Sequence, residues 1–241
     1  MQVTRVGCTG FDDSHSFDEV ANFAATSDII EVGVPFSREK QGRAVYPTFK
    51  WVQGYLKFVS KNYKDLRHAL HVDGDICRDF LNGKLSTELK KMISITYEGT
   101  EKPVVGRIQI NLDDKPDLEA LAKLVEKLPM FRISFPYNSH TASMLTKAAE
   151  LFMFDILVDS SGGKGLLPDS WPPIIFPDRF QGYAGGLTPD NIKENLNNIS
   201  LIVPSDTNIG VDVETGIKGA NGHTSMKKAH AFVDNVLDWN R

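Results

Sequence analysis

The chain has 241 residues and a formal net charge of −4, and this length fits one large domain or two small ones. Lys and Arg number 27 against 31 Asp and Glu, so the chain lacks the basic excess that binding to nucleic acid or to an anionic membrane needs. Its longest apolar stretch, residues 151–158, is interrupted by Asp155 and is far shorter than the roughly 20 residues of a membrane-spanning helix.

Short apolar or β-branched runs alternate along the chain with polar loops and helix-like segments. Such alternation is typical of βαβ units that build a parallel sheet. Strands are predicted at residues 3–8, 28–34, 67–72, 104–111, 130–135, 154–159, 180–184 and 209–213. Eight units of about 30 residues use the whole chain, which predicts an α/β fold, a single (β/α)8 TIM barrel over residues 1–241.

Helices are predicted where apolar residues recur at helical spacing. They lie at residues 16–25, 46–63, 117–127, 139–152 and 224–239. Ser16 and Thr224 stand at the starts of the first and last helices, where a hydroxyl can cap the backbone. After the sixth strand, Pro172, Pro173 and Pro177 forbid a regular helix of normal length. Helix six is therefore expected to be missing or reduced to a turn, and residues 94–103 are expected to form a surface loop.

The two cysteines of the chain are Cys8 and Cys77, and residues 1–10 lack the apolar core of a secretory signal peptide. We therefore expect free thiols in a reducing compartment and a cytoplasmic protein.

Polar side chains follow the predicted strands at the positions where TIM barrels carry functional groups, the C-terminal strand ends and the loops after them. These positions carry a thiol, guanidinium groups, amides and carboxylates, which are Cys8, Arg38, Arg43, Gln109, Asn111, Asp159 and Asp212. Each residue alone could simply cap the mouth of the barrel. Their common placement favours a functional site.

Glycine-containing segments follow the last two strands, with Gly185 and Gly186 in one loop and Thr215 and Gly216 in the next. Backbone N–H groups of these two loops commonly bind phosphate in TIM barrels, and glycine lets the backbone approach the anion. A Gly-Gly pair can also be only a tight turn, but its place after strand seven favours phosphate. The predicted ligand is a small phosphorylated molecule.

Metal and nucleotide motifs do not occur in the sequence. It has no HExxH, no spaced Cys/His set, no EF-hand loop, no GxGxxG and no Walker A motif. We expect neither a metal nor a cofactor. The glycine-rich run at residues 161–165 is interpreted as a flexible loop over the mouth, and His71 as a satisfied core or rim histidine.

Several segments resemble phosphoribosylanthranilate isomerases. Over strands seven and eight, the family's AGGL-TPENV and VDVSSGVE segments are similar to YAGGLTPDNI and IGVDVETGIKG here. The family's first-strand C-G-x-T, its P-R-Y-V-S-P after strand two and its LLLD with a glycine-rich loop resemble VGCTGFDD, RAVYPTF and DILVDSSGGKGLLPDSW. The resemblance runs from residue 3 to about residue 236 and is weakest between residues 60 and 150.

The resemblance implies an Amadori rearrangement in tryptophan biosynthesis, which converts N-(5-phosphoribosyl)anthranilate to 1-(o-carboxyphenylamino)-1-deoxyribulose 5-phosphate without a cofactor. It implies Cys8 as the general base and Asp159 as the general acid. It also implies substrate binding by Arg43, Gln109 and Asp212. The implied phosphate-binding residues are Gly185, Gly186, Thr215 and Gly216.

The sequence departs from the family pattern near the implied site. Thr9 stands where the family has glycine, Glu214 where it has serine, and Asn111-Leu112 where it has His-Gly. Two alternatives stay open, a divergent phosphosugar isomerase or lyase with the same phosphate site, and a non-catalytic barrel that binds a phosphometabolite. The expected partner is a small phosphosugar, and the protein is expected to be a monomer or a homodimer.

Overall fold

The strands form a closed parallel barrel in a computed structural model that describes residues 1–111 and 115–241. Within these ranges the strands are β1 (Gln2–Thr9), β2 (Ile30–Phe36), β3 (Arg67–Val72), β4 (Arg107–Ile110), β5 (Arg132–Tyr137), β6 (Asp155–Val158), β7 (Gln181–Tyr183) and β8 (Asn208–Val213). Neighbours in sequence are neighbours in the sheet, and β8 pairs with β1 to close the ring. The predicted TIM barrel is confirmed.

Helices surround the barrel in most of the connections. They are α1 (Phe17–Ala24), α2 (Phe49–Asn62), α3 (Gly74–Leu81), α4 (Thr87–Ile93), α5 (Leu118–Glu126), α6 (Ala142–Ala148), α7 (Ile192–Ser200) and α8 (Met226–Trp239). No helix lies in residues 159–180, between β6 and β7, as the prolines of that segment predict. In the ranges described, none of the helices has the length and apolar character needed to cross a membrane.

Serine side chains cap both the first and the last helix, but only the first of these caps was predicted. Ser16 accepts a hydrogen bond from the N–H of Glu19 and caps α1, as predicted. The cap of α8 is Ser225, which accepts from the N–H of Lys228. The expectation of a Thr224 cap is wrong, because the Thr224 hydroxyl donates to the carbonyl of Gly10 at 2.7 Å and ties the loop after β8 to the loop after β1.

Side chains of β1 alternate between the interior of the barrel and the layer beneath the helices, as the pleat of a strand requires. Thr9 donates to Asp212 Oδ1 at 3.2 Å, and a Cβ added to Gly7 would lie 2.2 Å from Asp212 Oδ2. Both positions therefore face the interior. Val6 and Cys8 face the other way, where they are fully buried in the hydrophobic core.

Charged side chains fill much of the barrel interior, which in most TIM barrels is packed with branched apolar residues. Arg107 donates to Glu31 Oε1 from Nε at 2.8 Å, and its Nη2 lies 3.5 Å from Asp212 Oδ2. Arg5 donates to Asp155 Oδ2 at 3.3 Å. Buried charges are tolerated only when they are paired, and these pairs form a continuous network inside the barrel.

Candidate active site

A pocket opens at the C-terminal ends of the strands. Strand-end side chains and the loops after β6, β7 and β8 line it. Most of the predicted site residues lie in its wall, namely Gln109, Asp159, Gly185, Gly186, Asp212, Thr215 and Gly216. Cys8 and Arg43 are not among the described residues that line the pocket.

Cys8 points away from the pocket. It is fully buried among apolar side chains, while its neighbours Gly7 and Thr9 face Asp212 inside the barrel. Burial, helped by the negative charge of Asp212, raises the pKa of the Cys8 thiol far above its ordinary value. A thiol in this setting stays protonated near neutral pH. The prediction that Cys8 brings its thiol to the mouth is therefore wrong.

Arg43 lies on the loop between β2 and α2, where its side chain is exposed. Its backbone carbonyl accepts a hydrogen bond from the N–H of Tyr46 at 3.0 Å, which closes a turn. Tyr46 lines the pocket, and its hydroxyl donates to Asp73 Oδ2 at 3.3 Å. The structure thus brings an aromatic ring, and not the Arg43 guanidinium, to this side of the pocket.

Asp159 follows β6 and its carboxylate is held by the loop that begins there. The N–H and the hydroxyl of Ser161 donate to Oδ1 at 3.0 and 2.7 Å, and the N–H of Gly163 donates to Oδ2 at 2.8 Å. Gly163 and Gly165 also line the pocket, so this loop lies over the mouth. The three donors fix the orientation of the Asp159 side chain.

The loop after β7 requires glycine at two adjacent positions. Gly185 and Gly186 have φ angles of +100° and +66°, a region that side chains with a Cβ rarely adopt. A Cβ on Gly186 would lie 2.3 Å from the N atom of Leu167 in the loop after β6. The two loops therefore pack backbone against backbone, and both glycines line the pocket.

The loop after β8 contains a single turn of 3₁₀ helix, Thr215–Ile217. A Cβ on Gly216 would lie 2.0 Å from the carbonyl oxygen of Leu187, so this turn also needs glycine to pack against the loop after β7. Glu214, which precedes the turn, accepts from Lys218 Nζ at 2.9 Å. This ion pair offsets the negative charge of Glu214 at the pocket wall.

Asn111 and Leu112, which stand where the family has His-Gly, follow β4. Asn111 lines the pocket, and its backbone carbonyl accepts a hydrogen bond from the Cys77 thiol at 2.6 Å. Leu112 lies outside the described residues.

Asp212 is 8% exposed and lies between the pocket and the charged interior. It accepts from the Thr9 hydroxyl at 3.2 Å and has Arg107 Nη2 at 3.5 Å. Burial is the largest influence on its proton affinity, and the repulsion of Glu31 adds to it, while Arg107 and Arg5 oppose it. The net effect raises the pKa of Asp212 to about 7.

His71 is a pocket residue that the sequence interpretation placed as a satisfied core or rim histidine. It is 6% exposed and lines the pocket, and its Nε2 atom has no hydrogen-bond partner among the described residues. Its Nδ1 atom lies 3.3 Å from the amide nitrogen of Gln109. Burial, with Arg107 as the next cause, lowers the pKa of His71 to about 3, so the ring is neutral at physiological pH.

Comparisons with known proteins agree with this architecture. A family model for N-(5'-phosphoribosyl)anthranilate isomerase matches residues 107–235, which is more than half of the chain. TrpF from Jonesia denitrificans superposes with a TM-score of 0.64 at 17% identity, over 99% of this chain and 100% of that one. Phosphoribosyl anthranilate isomerase from Thermotoga maritima gives a TM-score of 0.60 at 15% identity, over 98% of this chain and 100% of that one.

A third solved structure contains a ligand. It is a phosphoribosyl anthranilate isomerase in complex with reduced 1-(o-carboxyphenylamino)-1-deoxyribulose 5-phosphate, with a TM-score of 0.59 at 13% identity, over 98% of this chain and 100% of that one. At these identities the likeness establishes the fold alone. The curated proteins contain no match to the chain.

The match to the family model extends from β4 into α8 and includes both glycine loops, Asp159 and Asp212. Members of this family are aldose–ketose isomerases of tryptophan biosynthesis. The chain belongs to the phosphoribosylanthranilate isomerase family.

Proposed function

We propose that this pocket carries out the Amadori rearrangement of N-(5-phosphoribosyl)anthranilate to 1-(o-carboxyphenylamino)-1-deoxyribulose 5-phosphate. The observation that carries the proposal is the meeting of two glycine loops with the carboxyl groups of Asp159 and Asp212 in one pocket at the C-terminal mouth of the barrel. That arrangement offers an anion site and two groups that exchange protons, which are the requirements of a phosphosugar isomerase. The expected partner is this small molecule, and a cytoplasmic location and a monomeric or homodimeric state are part of the same proposal.

The phosphate end of the substrate is assigned to the loops after β7 and β8. The pocket wall contains Gly185, Gly186, Thr215 and Gly216, and their backbone N–H groups are assigned to the phosphate because these two loops commonly bind it in TIM barrels. The pairing of Glu214 with Lys218 supports the same assignment. Binding at this end would hold the ribose over the strand ends, where the proton-transfer groups lie.

Asp159 is assigned the role of general acid. Opening of the furanose ring needs a proton on the ring oxygen, and a carboxylic acid at the mouth supplies it. Once the proton has left, the Asp159 carboxylate accepts the three hydrogen bonds from Ser161 and Gly163. Those donors stabilise the product side of this step without any movement of the loop.

Gln109 is assigned an indirect role in substrate binding. Its carbonyl oxygen accepts from Arg107 and its amide nitrogen faces His71, so the orientation of the amide is fixed by protein groups. His71 Nε2 is buried in the pocket wall without a partner among the described residues, and we assign it to a substrate oxygen that binds beside it. Gln109 then acts as the residue that orients the imidazole.

The proposal is tested by adding purified protein to N-(5-phosphoribosyl)anthranilate and following the loss of its fluorescence. We expect turnover by the wild type and a decrease in kcat of about 10²- to 10⁴-fold in Asp159→Asn, as removal of a general acid predicts. Asp169→Asn, a change at another aspartate of the same connection, is the matched control and should keep wild-type kcat. Absence of turnover in folded wild-type protein would contradict the proposal.

A second candidate is favoured by the position of Arg43, which is exposed and outside the pocket wall. A phosphosugar isomerase or lyase whose substrate lacks an aromatic carboxylate needs no arginine there. The two candidates differ in the effect of Arg43→Ala on turnover of N-(5-phosphoribosyl)anthranilate. A KM raised about tenfold or more supports the anthranilate substrate, and an unchanged KM supports the second candidate.

A further inference from the structure

We propose that Asp212, and not a first-strand cysteine, is the general base that removes the C2 proton of the substrate. This inference rests on the proposed function and names the residue for its second proton transfer. Three features carry it: the face of β1 on which the thiol lies, the close approach of Asp212 to Gly7, and the hydrogen-bonding of the other groups in the pocket.

The inward position of β1 beside the pocket carries no side chain. Gly7 pairs with Asp212 in the register of β1 and β8, and a Cβ at Gly7 would lie 2.2 Å from Asp212 Oδ2 and 2.7 Å from its carboxyl carbon. The Asp212 carboxylate therefore occupies the space that a side chain on β1 would need. Cys8, one position along, is directed into the hydrophobic core.

The contacts of Asp212 suit a base that works near neutral pH. Thr9 on β1 and Arg107 on β4 hold its two carboxyl oxygens, and Glu31 on β2 and Arg5 on β1 are the other charged groups that act on it. Because burial outweighs the two arginines, the pKa of Asp212 is raised to about 7. A base with a pKa close to the working pH combines a useful ionised fraction with useful proton affinity.

The other titratable groups of the pocket are committed elsewhere. Asp159 is held by three donors of its own loop. Glu214 is paired with Lys218. The Nδ1 atom of His71 faces the Gln109 amide, and the lowered pKa of this imidazole makes it a weak base. Among the described carboxylates that line the pocket, this leaves Asp212 to accept a proton.

The step assigned to Asp212 follows ring opening, when the substrate is a protonated Schiff base. Asp212 takes the proton from C2, the C–H electron pair becomes the C1=C2 double bond, and the C1=N π pair returns to nitrogen. The resulting enolamine gains a proton at C1 and loses one from the C2 hydroxyl, which gives the aminoketose. Counted with the proton that Asp159 delivers to the ring oxygen, the substrate gains two protons and loses two over the whole reaction, and no oxidant or reductant is needed.

The test compares steady-state turnover by wild-type protein, Asp212→Asn and Cys8→Ala. Asn keeps the shape of the side chain and can still accept from Thr9, and Cys8→Ala is the matched control because its thiol lies outside the pocket. We expect Asp212→Asn to lower kcat about 10²- to 10⁴-fold and Cys8→Ala to keep kcat within about threefold. Calorimetry with reduced 1-(o-carboxyphenylamino)-1-deoxyribulose 5-phosphate should show binding by Asp212→Asn within about tenfold of wild type, as expected if it removes chemistry and not the phosphate site.

The pH profile of the wild type decides the question without any variant. With Asp212 as the base, kcat/KM rises tenfold per pH unit and levels off at about pH 7, the pKa of this carboxyl. A rise that continues into the alkaline range indicates a thiol and overturns the inference, as does near-wild-type turnover in Asp212→Asn or its loss in folded Cys8→Ala. Absence of turnover in folded wild-type protein instead overturns the proposed function, and the inference with it.

Discussion

The amide of Gln109 fixes which nitrogen of His71 carries the proton. Arg107 Nη1 donates to the carbonyl oxygen of Gln109 at 2.6 Å, so the amide nitrogen is the atom that faces His71 Nδ1 at 3.3 Å. Nδ1 must then accept, and a neutral imidazole carries its single proton on the other nitrogen. Nε2–H is therefore a buried donor of the pocket wall that has no partner among the described residues.

Loss of this donor should weaken catalysis. We expect His71→Leu to lower kcat/KM about tenfold to a hundredfold, because a hydrogen bond to a substrate oxygen is worth roughly 1–3 kcal/mol when its loss leaves a buried group unpaired. His71→Gln, which restores an N–H donor, should recover part of the loss. Equal kcat/KM in His71→Leu and the wild type, measured by the fluorescence assay, would show that the imidazole does not touch the substrate.

The ion pair beside the phosphate loops makes a second prediction. Lys218→Ala should raise KM about threefold to tenfold, because it leaves the negative charge of Glu214 uncompensated close to a bound phosphate. The double variant Lys218→Ala with Glu214→Gln should bring KM back towards the wild-type value. A double variant no better than Lys218→Ala would mean that Lys218 acts on the substrate directly.

Gly216 provides a steric prediction. Gly216→Ala should raise KM by two orders of magnitude or more, because the new Cβ would lie 2.0 Å from the Leu187 carbonyl and force the loops after β7 and β8 apart. Gly106→Ala is the matched control, since nothing lies within 4 Å of a Cβ at that position. Protection by inorganic phosphate against thermal unfolding should be lost in Gly216→Ala and kept in the control. Equal protection in both variants would remove this loop from the phosphate site.

The raised pKa of Asp212 should also make the free energy of unfolding depend on pH. Its pKa is about 7 in the folded protein against an ordinary value of 3.8, so the folded state binds the proton more tightly than the unfolded state does. The stabilisation from this carboxyl is complete below about pH 4 and is lost as the pH rises through 7. Between these two pH values the free energy of unfolding decreases by an amount on the order of 4 kcal/mol.

Asp212→Asn, which cannot ionise, should therefore become more stable relative to wild type as the pH rises. The difference in Tm between Asp212→Asn and wild type should be larger at pH 8 than at pH 5, measured by thermal unfolding in matched buffers. Asp206→Asn, at an exposed position, is the control. The same Tm difference at both pH values would refute the raised pKa.

The barrel could be predicted from the sequence because its signals are local and repeated. Periodicity gives the order of the eight strands and five of the helices, and Pro172, Pro173 and Pro177 account for the missing helix after β6. The helices α3, α4 and α7 were not predicted. The glycine loops were also predictable, since glycine at both positions stands out in the sequence, and the close contacts of Gly186 and Gly216 with neighbouring loops explain why.

The role of β1 could not be predicted in the same way. The sequence contains a cysteine at the end of this strand, but which face carries it depends on the register, and the pairing of β1 with β8 shifts between Val3 and Arg5. A shift of one residue turns every later side chain to the opposite face. Gly7 therefore faces the barrel interior, whereas simple alternation along the sequence would place the thiol of Cys8 there. His71 was missed for a related reason, because its open donor depends on the distant residues Gln109 and Arg107.

The charged side chains of the barrel interior influence the pKa of Asp212 at the pocket. Glu31 raises the proton affinity of Asp212 and Arg5 lowers it, and both side chains are buried in the barrel interior. Through Arg5, Asp155 at the start of β6 belongs to the same set of charges. Because these buried charges contact one another, we expect a substitution of Arg5 or Asp155, far from the mouth of the barrel, to shift the pKa of Asp212 and with it the pH dependence of turnover.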